Sequence, residues 1–151
     1  MIIQGSMLIG MMLPPTLNGP VNVCPTEKEW EHAARGGLID KEYSWGDDWK
    51  VAREYANYDG TGGKDQWDGI TAPVGSFAPN GYGLYDMDGN VSEYCSDWFD
   101  ENYYSTFTLN NPLGPDLGSF RVVRGGSWGL PNHLLRVAYR SGFVTSGLNS
   151  Y

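Results

Sequence analysis

After Gly37 the sequence is broken every few residues by turn-forming runs: WGDD, DGTGGKD, WDG, APNGYG, DGN, NNPLGPD and GG. No helical apolar period survives between them, which excludes a bundle of long amphipathic helices. The one clear helix precedes this region, in TEKEWEHAARGG. Thr26 and Glu29 are spaced for a capping box. Glu27, Glu29 and Glu31 complement the positive end of the helix dipole, and Arg35 the negative end. Gly36 and Gly37 stop it, and Trp30, Ala33 and Ala34 form its apolar stripe. Only short strands fit between the later turns: TAPVGSF, SFRVVRGG and LRVAYR. The last alternates Leu135, Val137 and Tyr139 against Arg136, Ala138 and Arg140, the period of a half-buried strand. The expected fold is a single α+β domain rich in loops, with 21 Gly, 6 Trp and 10 Tyr in 151 residues.

Ordering such loops costs about 1–2 kcal/mol per residue in backbone entropy. Cys24 and Cys95 offer at most one disulfide, and their spacing fixes neither pairing nor compartment. A bound cation is the alternative brace. YGLYDMDGNVSEYCSDWF, residues 82–99, carries Asp86, Asp88, Glu93 and Asp97 with no basic residue among them. Hard cations such as Ca²⁺ collect carboxylate, amide and carbonyl oxygens on irregular chain. Asp86, Asp88, Asn90 and Asp97 mimic part of an EF-hand loop. Val91 stands where its sharp turn needs glycine, however, and the flanks are not helices, so an EF-hand is rejected.

The net charge of −8 argues against a nucleic-acid backbone or an anionic membrane as partner. The charge is also lopsided. Residues 1–120 hold 6 basic and 18 acidic side chains, whereas residues 121–151 hold four arginines and no acid. Two halves that fold against each other would explain it. MIIQGSMLIGMMLPP is apolar but lacks a basic n-region and is too short to span a bilayer. We therefore expect no signal peptide or membrane insertion from it, and the localisation stays open. Residues 1–22 are read as an N-terminal arm or truncated strand ahead of a domain over 23–151. Gly125–Gly129 matches G-x-S-x-G, yet Gly129 and Pro131 oppose the helix that a nucleophile elbow needs, and no acid follows Asp116. No His/Cys set has zinc spacing.

Six runs in order, CPTEKEWEHAARGG, YSWGDDW, ANYDGTGG, TAPVGSFAPNGYGLYDMDGNVSEYCSDWF, NPLGPDLGSFRVVRGGSW and LRVAYR, closely resemble the formylglycine-generating enzyme, or sulfatase-modifying factor, family. The resemblance runs from about Val23 to Tyr139. It implies a compact C-type-lectin-like fold with low regular secondary structure and two structural calcium ions. One site would use the Asp86 and Glu93 side chains with the carbonyls of Gly89 and Val91. The other would use Asn57 and Asp65 with the carbonyls of Tyr58 and Trp67. In catalytic relatives two cysteines after RGGS bind copper(I) and oxidise a sulfatase cysteine to formylglycine; thiolates suit that soft ion. Here Leu130 and Asn132 take those places, so no catalytic residue is assigned and copper is not expected.

The resemblance thus implies a non-catalytic, calcium-braced scaffold. It would present Trp128, Leu130, Asn132, His133, Phe143 and Tyr151 to a protein, peptide or small-molecule ligand. The aromatics, small residues and hydroxyls after RGGSW are of the kind found in paratopes. They also resemble the variable proteins of diversity-generating retroelements. The alternatives are an oxidoreductase converting a sulfatase cysteine to formylglycine, and an accessory domain of a larger protein. The family's upstream strand and helix and its closing GFR strand are not matched, as in a domain truncated at both ends. Ser92 and Tyr94 replace its usual tryptophans.

Overall fold

A computed structural model describes residues 7–8, 24–60, 66–67, 69–106 and 114–144. Helix α1 spans Glu27–Arg35, a 3₁₀ turn over Trp49–Val51 leads into α2 (Ala52–Tyr55), and α3 is Tyr103–Thr106. The strands are β1 (Met7–Leu8), β2 (Ser92–Trp98), β3 (Phe120–Arg124) and β4 (Ser141–Val144). They form one sheet in the order β1-β2-β3-β4, with β1 parallel to β2 and the other pairs antiparallel. The architecture is α+β. Among the described residues no helix is long and apolar enough to cross a membrane.

Helix α1 forms as its end signals dictate. Thr26 accepts from the Glu29 N–H at 3.3 Å while the Glu29 carboxylate accepts from the Thr26 N–H at 2.9 Å, closing the capping box. Gly36 ends the helix at φ +55°, where a Cβ would meet the Gly81 nitrogen at 2.7 Å. Asn80 then donates to the last-turn carbonyls of Ala33 and Ala34.

The strands follow the sequence less faithfully. SFRVVR forms β3 as expected, but residues 71–77 of TAPVGSF contain no strand. LRVAYR is not one either, although its alternation is real: Leu135 and Val137 are fully buried while Arg136 and Ala138 are exposed. Its amides are satisfied piecemeal, Leu135 by the Asn132 carbonyl, Val137 by Glu42 and Tyr139 by Arg136, so no ladder forms. Two-residue periodicity reports which side chains dock, not whether a neighbouring strand supplies hydrogen bonds. The strand beside β3 is instead Ser141–Val144. β2 lies inside the acidic stretch, where the sequence pattern predicts irregular chain.

Among the described residues two apolar clusters carry the packing. Trp30, Ala33 and Ala34 of α1 meet Leu84, Met87, Cys95, Val122 and Val137 over one face of the sheet. A second cluster joins Tyr43, Ala52, Ala56, Tyr58 and Leu135 beneath α2. Leu135 and Val137 thus anchor one segment into both. The lopsided charge is resolved at the α1–sheet boundary. Arg124, 1% exposed, pairs with Glu31 at 2.5 Å, approaches Glu27 at 3.5 Å and donates to the Tyr139 carbonyl. Arg140 grips Glu27 at 2.7 Å. Arginines from the basic end do fold against acids from the rest.

Candidate functional site

The acidic stretch owes its shape to left-handed backbone. Asp86, Gly89 and Asn90 have φ values of +58°, +81° and +60°. Gly89 is obligatory, because a Cβ there would lie 2.3 Å from the Asn57 carbonyl oxygen. Asn90 tolerates αL and is pinned by the Ala72 N–H to its side-chain oxygen, its own amide to the Ala72 carbonyl, and its N–H to the Asn57 carbonyl. The chain doubles back and brings Glu93, near the start of β2, close to Asp86.

Of the four carboxylates, two are occupied structurally. Asp97 accepts from the Glu27 N–H at 2.7 Å, serving the positive end of α1. Asp88, 1% exposed, accepts from the Ser44 N–H at 2.7 Å, and burial pushes its carboxyl up to about 7. The other two, both half-buried, lie near enough for the Asp86 charge to act on Glu93. Burial, with the Asp86 charge adding to it, pushes Glu93 up to about 7, and burial also raises Asp86. Glu93 accepts from the Trp30 indole N–H at 2.5 Å, and Asp86 from the Gly75 N–H at 2.8 Å. The other Asp86 oxygen is buried without a hydrogen bond. Among the described residues no ion pair joins either group to a basic side chain. Two half-buried like charges without a counter-ion are costly, and hard oxygens so placed fit a hard cation.

The second expected site is less complete. Asn57 is buried; its amide donates to the Ile70 carbonyl while its side-chain oxygen carries no hydrogen bond. The Tyr58 carbonyl accepts from Arg53 at 2.6 Å, and that guanidinium lies 3.9 Å over the Tyr58 ring. The Trp67 carbonyl accepts from the Ile70 N–H. The Arg53 charge opposes a cation on Tyr58. Asp65 lies outside the described residues. Among those described, no three His, Cys, Asp or Glu side chains converge as metal ligands, so backbone carbonyls would have to complete either site.

The candidate ligand face is built on this loop. The Gly89 N–H donates to the Gly125 carbonyl at 2.7 Å, Trp128 N–H to the Asn90 carbonyl at 3.0 Å, and the Ser92 hydroxyl to the Gly126 carbonyl at 3.0 Å. The Asp59 N–H reaches the Leu130 carbonyl at 3.0 Å. Trp128, Leu130 and Asn132 are half-buried and His133 exposed along one continuous run. Phe143 is exposed on β4 opposite Arg121, away from that run in the chain, and Tyr151 lies outside the described residues. An open groove of 470 Å³ lies elsewhere, between Asp40–Glu42 and Arg136–Arg140, and none of the six expected ligand residues lines it.

Cys24 and Cys95 are both free. Cys95 sits in the main core, and burial drives its thiol well above the ordinary range. Sequence reading missed Trp30, Ser44, Arg53 and Arg124 as partners. Trp30 was visible only as an apolar helix position; its hydrogen bond crosses 63 positions of chain, which no local pattern encodes.

Comparison with known proteins gives concordant results. The model of the sulfatase-modifying factor enzyme 1-like domain matches residues 22–150. The formylglycine-generating enzyme of Streptomyces coelicolor is 44% identical over 110 residues, covering 69% of this chain and 35% of that protein. The inactive C-alpha-formylglycine-generating enzyme 2 of Mus musculus is 40% identical over 128 residues, covering 78% and 37%. Among solved structures, Treponema denticola variable protein 1 superposes with a TM-score of 0.66 at 36% identity, covering 80% of this chain and 41% of that one. The chain spans about a third of the length of these curated relatives.

Proposed function

The chain belongs to the sulfatase-modifying factor enzyme 1-like family, and we propose that it is a non-catalytic, calcium-braced scaffold that presents a ligand face. The observation that carries the reading is the Asp86–Glu93 pair: two half-buried carboxylates, near enough for the Asp86 charge to act on Glu93, with one Asp86 oxygen lacking a hydrogen bond and no basic partner among the described residues. Asp86 and Glu93 would hold the ion together with the carbonyls of Gly89 and Val91. The bound Ca²⁺ supplies only charge neutralisation and a fixed centre for the turn. Asn57 and Asp65, with the Tyr58 and Trp67 carbonyls, are proposed as a second, weaker site.

The scaffold reading has chemical support. Leu130 and Asn132 stand where the oxidases have their copper-binding cysteines. Cys95, sealed in the core with a raised thiol, has little thiolate to offer a soft metal. Trp128, Leu130, Asn132 and His133, half-buried or exposed along one run tied by hydrogen bonds to the acidic turn, are proposed as the ligand face. Phe143 and Tyr151 are proposed to extend it.

Thermal unfolding with and without chelator tests the calcium claim. A ligand bound only to the native state stabilises it by about 2.7 kcal/mol at a hundredfold excess over Kd. Chelator should lower Tm, added Ca²⁺ should restore it, and Glu93→Gln should abolish the difference. Superimposable curves would remove the claim. The competing reading is the oxidase, favoured by the activity named in the Streptomyces relative. A copper(I) titration with oxygen consumption on a cysteine peptide separates the two, since turnover would overturn the scaffold reading.

A further inference from the structure

We propose that Trp30 is the positioning residue of the cation ligand Glu93, locking the carboxylate toward the metal and tying metal occupancy to helix α1 and the RGGSW segment. The inference rests on the calcium reading. Trp30 is fully buried, and its indole N–H donates to Glu93 Oε2 at 2.5 Å. An indole has one donor and no acceptor, so it fixes one carboxylate oxygen and leaves the other for a metal. The ring cannot drift. Arg124 lies 5.0 Å over it, and a Cβ on Gly125 would be only 3.3 Å from its Cζ2. Ala33, Ala34, Leu84 and Val122 share its core cluster.

The arrangement has a consequence beyond packing. Gly125, against which the indole rests, accepts from Gly89, and Trp128 donates to Asn90. One side chain therefore touches both the ligand-bearing strand and the segment that begins the ligand face. Groups that orient metal ligands from behind typically contribute about 10- to 100-fold in affinity.

The test is Ca²⁺ titration calorimetry on wild type, Trp30→Phe and Val122→Ala, with the indole N–H signals followed by ¹H–¹⁵N NMR. Trp30→Phe keeps an aromatic ring and loses only the donor and part of the volume. Val122→Ala loosens the same core without touching the hydrogen bond. The expected result is a 10-fold or greater loss of affinity in Trp30→Phe and less than about 2-fold in Val122→Ala. The wild-type signal that vanishes in Trp30→Phe should move on saturation with Ca²⁺. If Trp30→Phe does not fold, specific ¹⁵N labelling assigns that signal, and its failure to move overturns the proposal. Equal affinities in wild type and Trp30→Phe, or equal losses in both variants, also overturn it while leaving the calcium reading intact. Absence of Ca²⁺ binding by the wild type overturns both.

Discussion

At the scale of single residues, the fold hangs on positions where a side chain would be fatal or a charge is buried. Gly89→Ala meets a left-handed φ and the Asn57 carbonyl at 2.3 Å. The strain alone costs about 1–3 kcal/mol, so its urea midpoint should fall by at least that equivalent. Arg124→Met removes the buried arginine from Glu27 and Glu31, which keep Arg140 and Arg35, so the loss should be about 1.5–3 kcal/mol by the same measurement. Asp88 and Glu93 set the pH response of the metal-free protein. Both are held near 7 when folded, above their ordinary values of 3.8 and 4.5. The folded state therefore binds more protons than the unfolded one across that window, and stability falls as pH rises toward 7. Asp88→Asn should flatten this slope in chelator, as read from Tm at pH 5 and pH 8. Calcium needs Glu93 ionised, so the Ca²⁺-induced gain in Tm should grow from pH 5 to pH 8.

At the scale of elements, legibility depended on how local the cause was. Helix α1 was readable to its caps because Thr26, Glu29 and Gly36 act within one turn. Thr26→Ala should cost about 1 kcal/mol. β3 was readable from FRVVR, but LRVAYR and TAPVGSF misled, since alternation encodes burial and not pairing. Leu135→Ala should accordingly cost about 2–5 kcal/mol, and Arg136→Ala less than about 0.5, although neither position lies in a strand. β2 was hidden because SEYCSDW buries a carboxylate among apolar residues: Glu93 accepts from the core indole of Trp30 while Cys95 enters the same core. The candidate cation ligands came from the family resemblance. Their hydrogen-bond partners at Trp30 and Gly75 did not, because each lies 11 or more positions away in the chain.

At the scale of the whole molecule, the three short helices and the small sheet among the described residues are joined by loops that converge on the turn at residues 86–93. That turn receives hydrogen bonds from or gives them to residues 57, 72, 75, 125, 126 and 128. It is the hub through which the α1 core, the α2 cluster and the candidate ligand face meet. The account holds that a divalent ion between Asp86 and Glu93 secures this hub. Calorimetric titration of Ca²⁺ into chelator-stripped protein measures it most directly. The account predicts a saturable binding heat that Asp86→Asn weakens and Glu93→Gln abolishes. A flat titration, or full binding by Glu93→Gln, would contradict it.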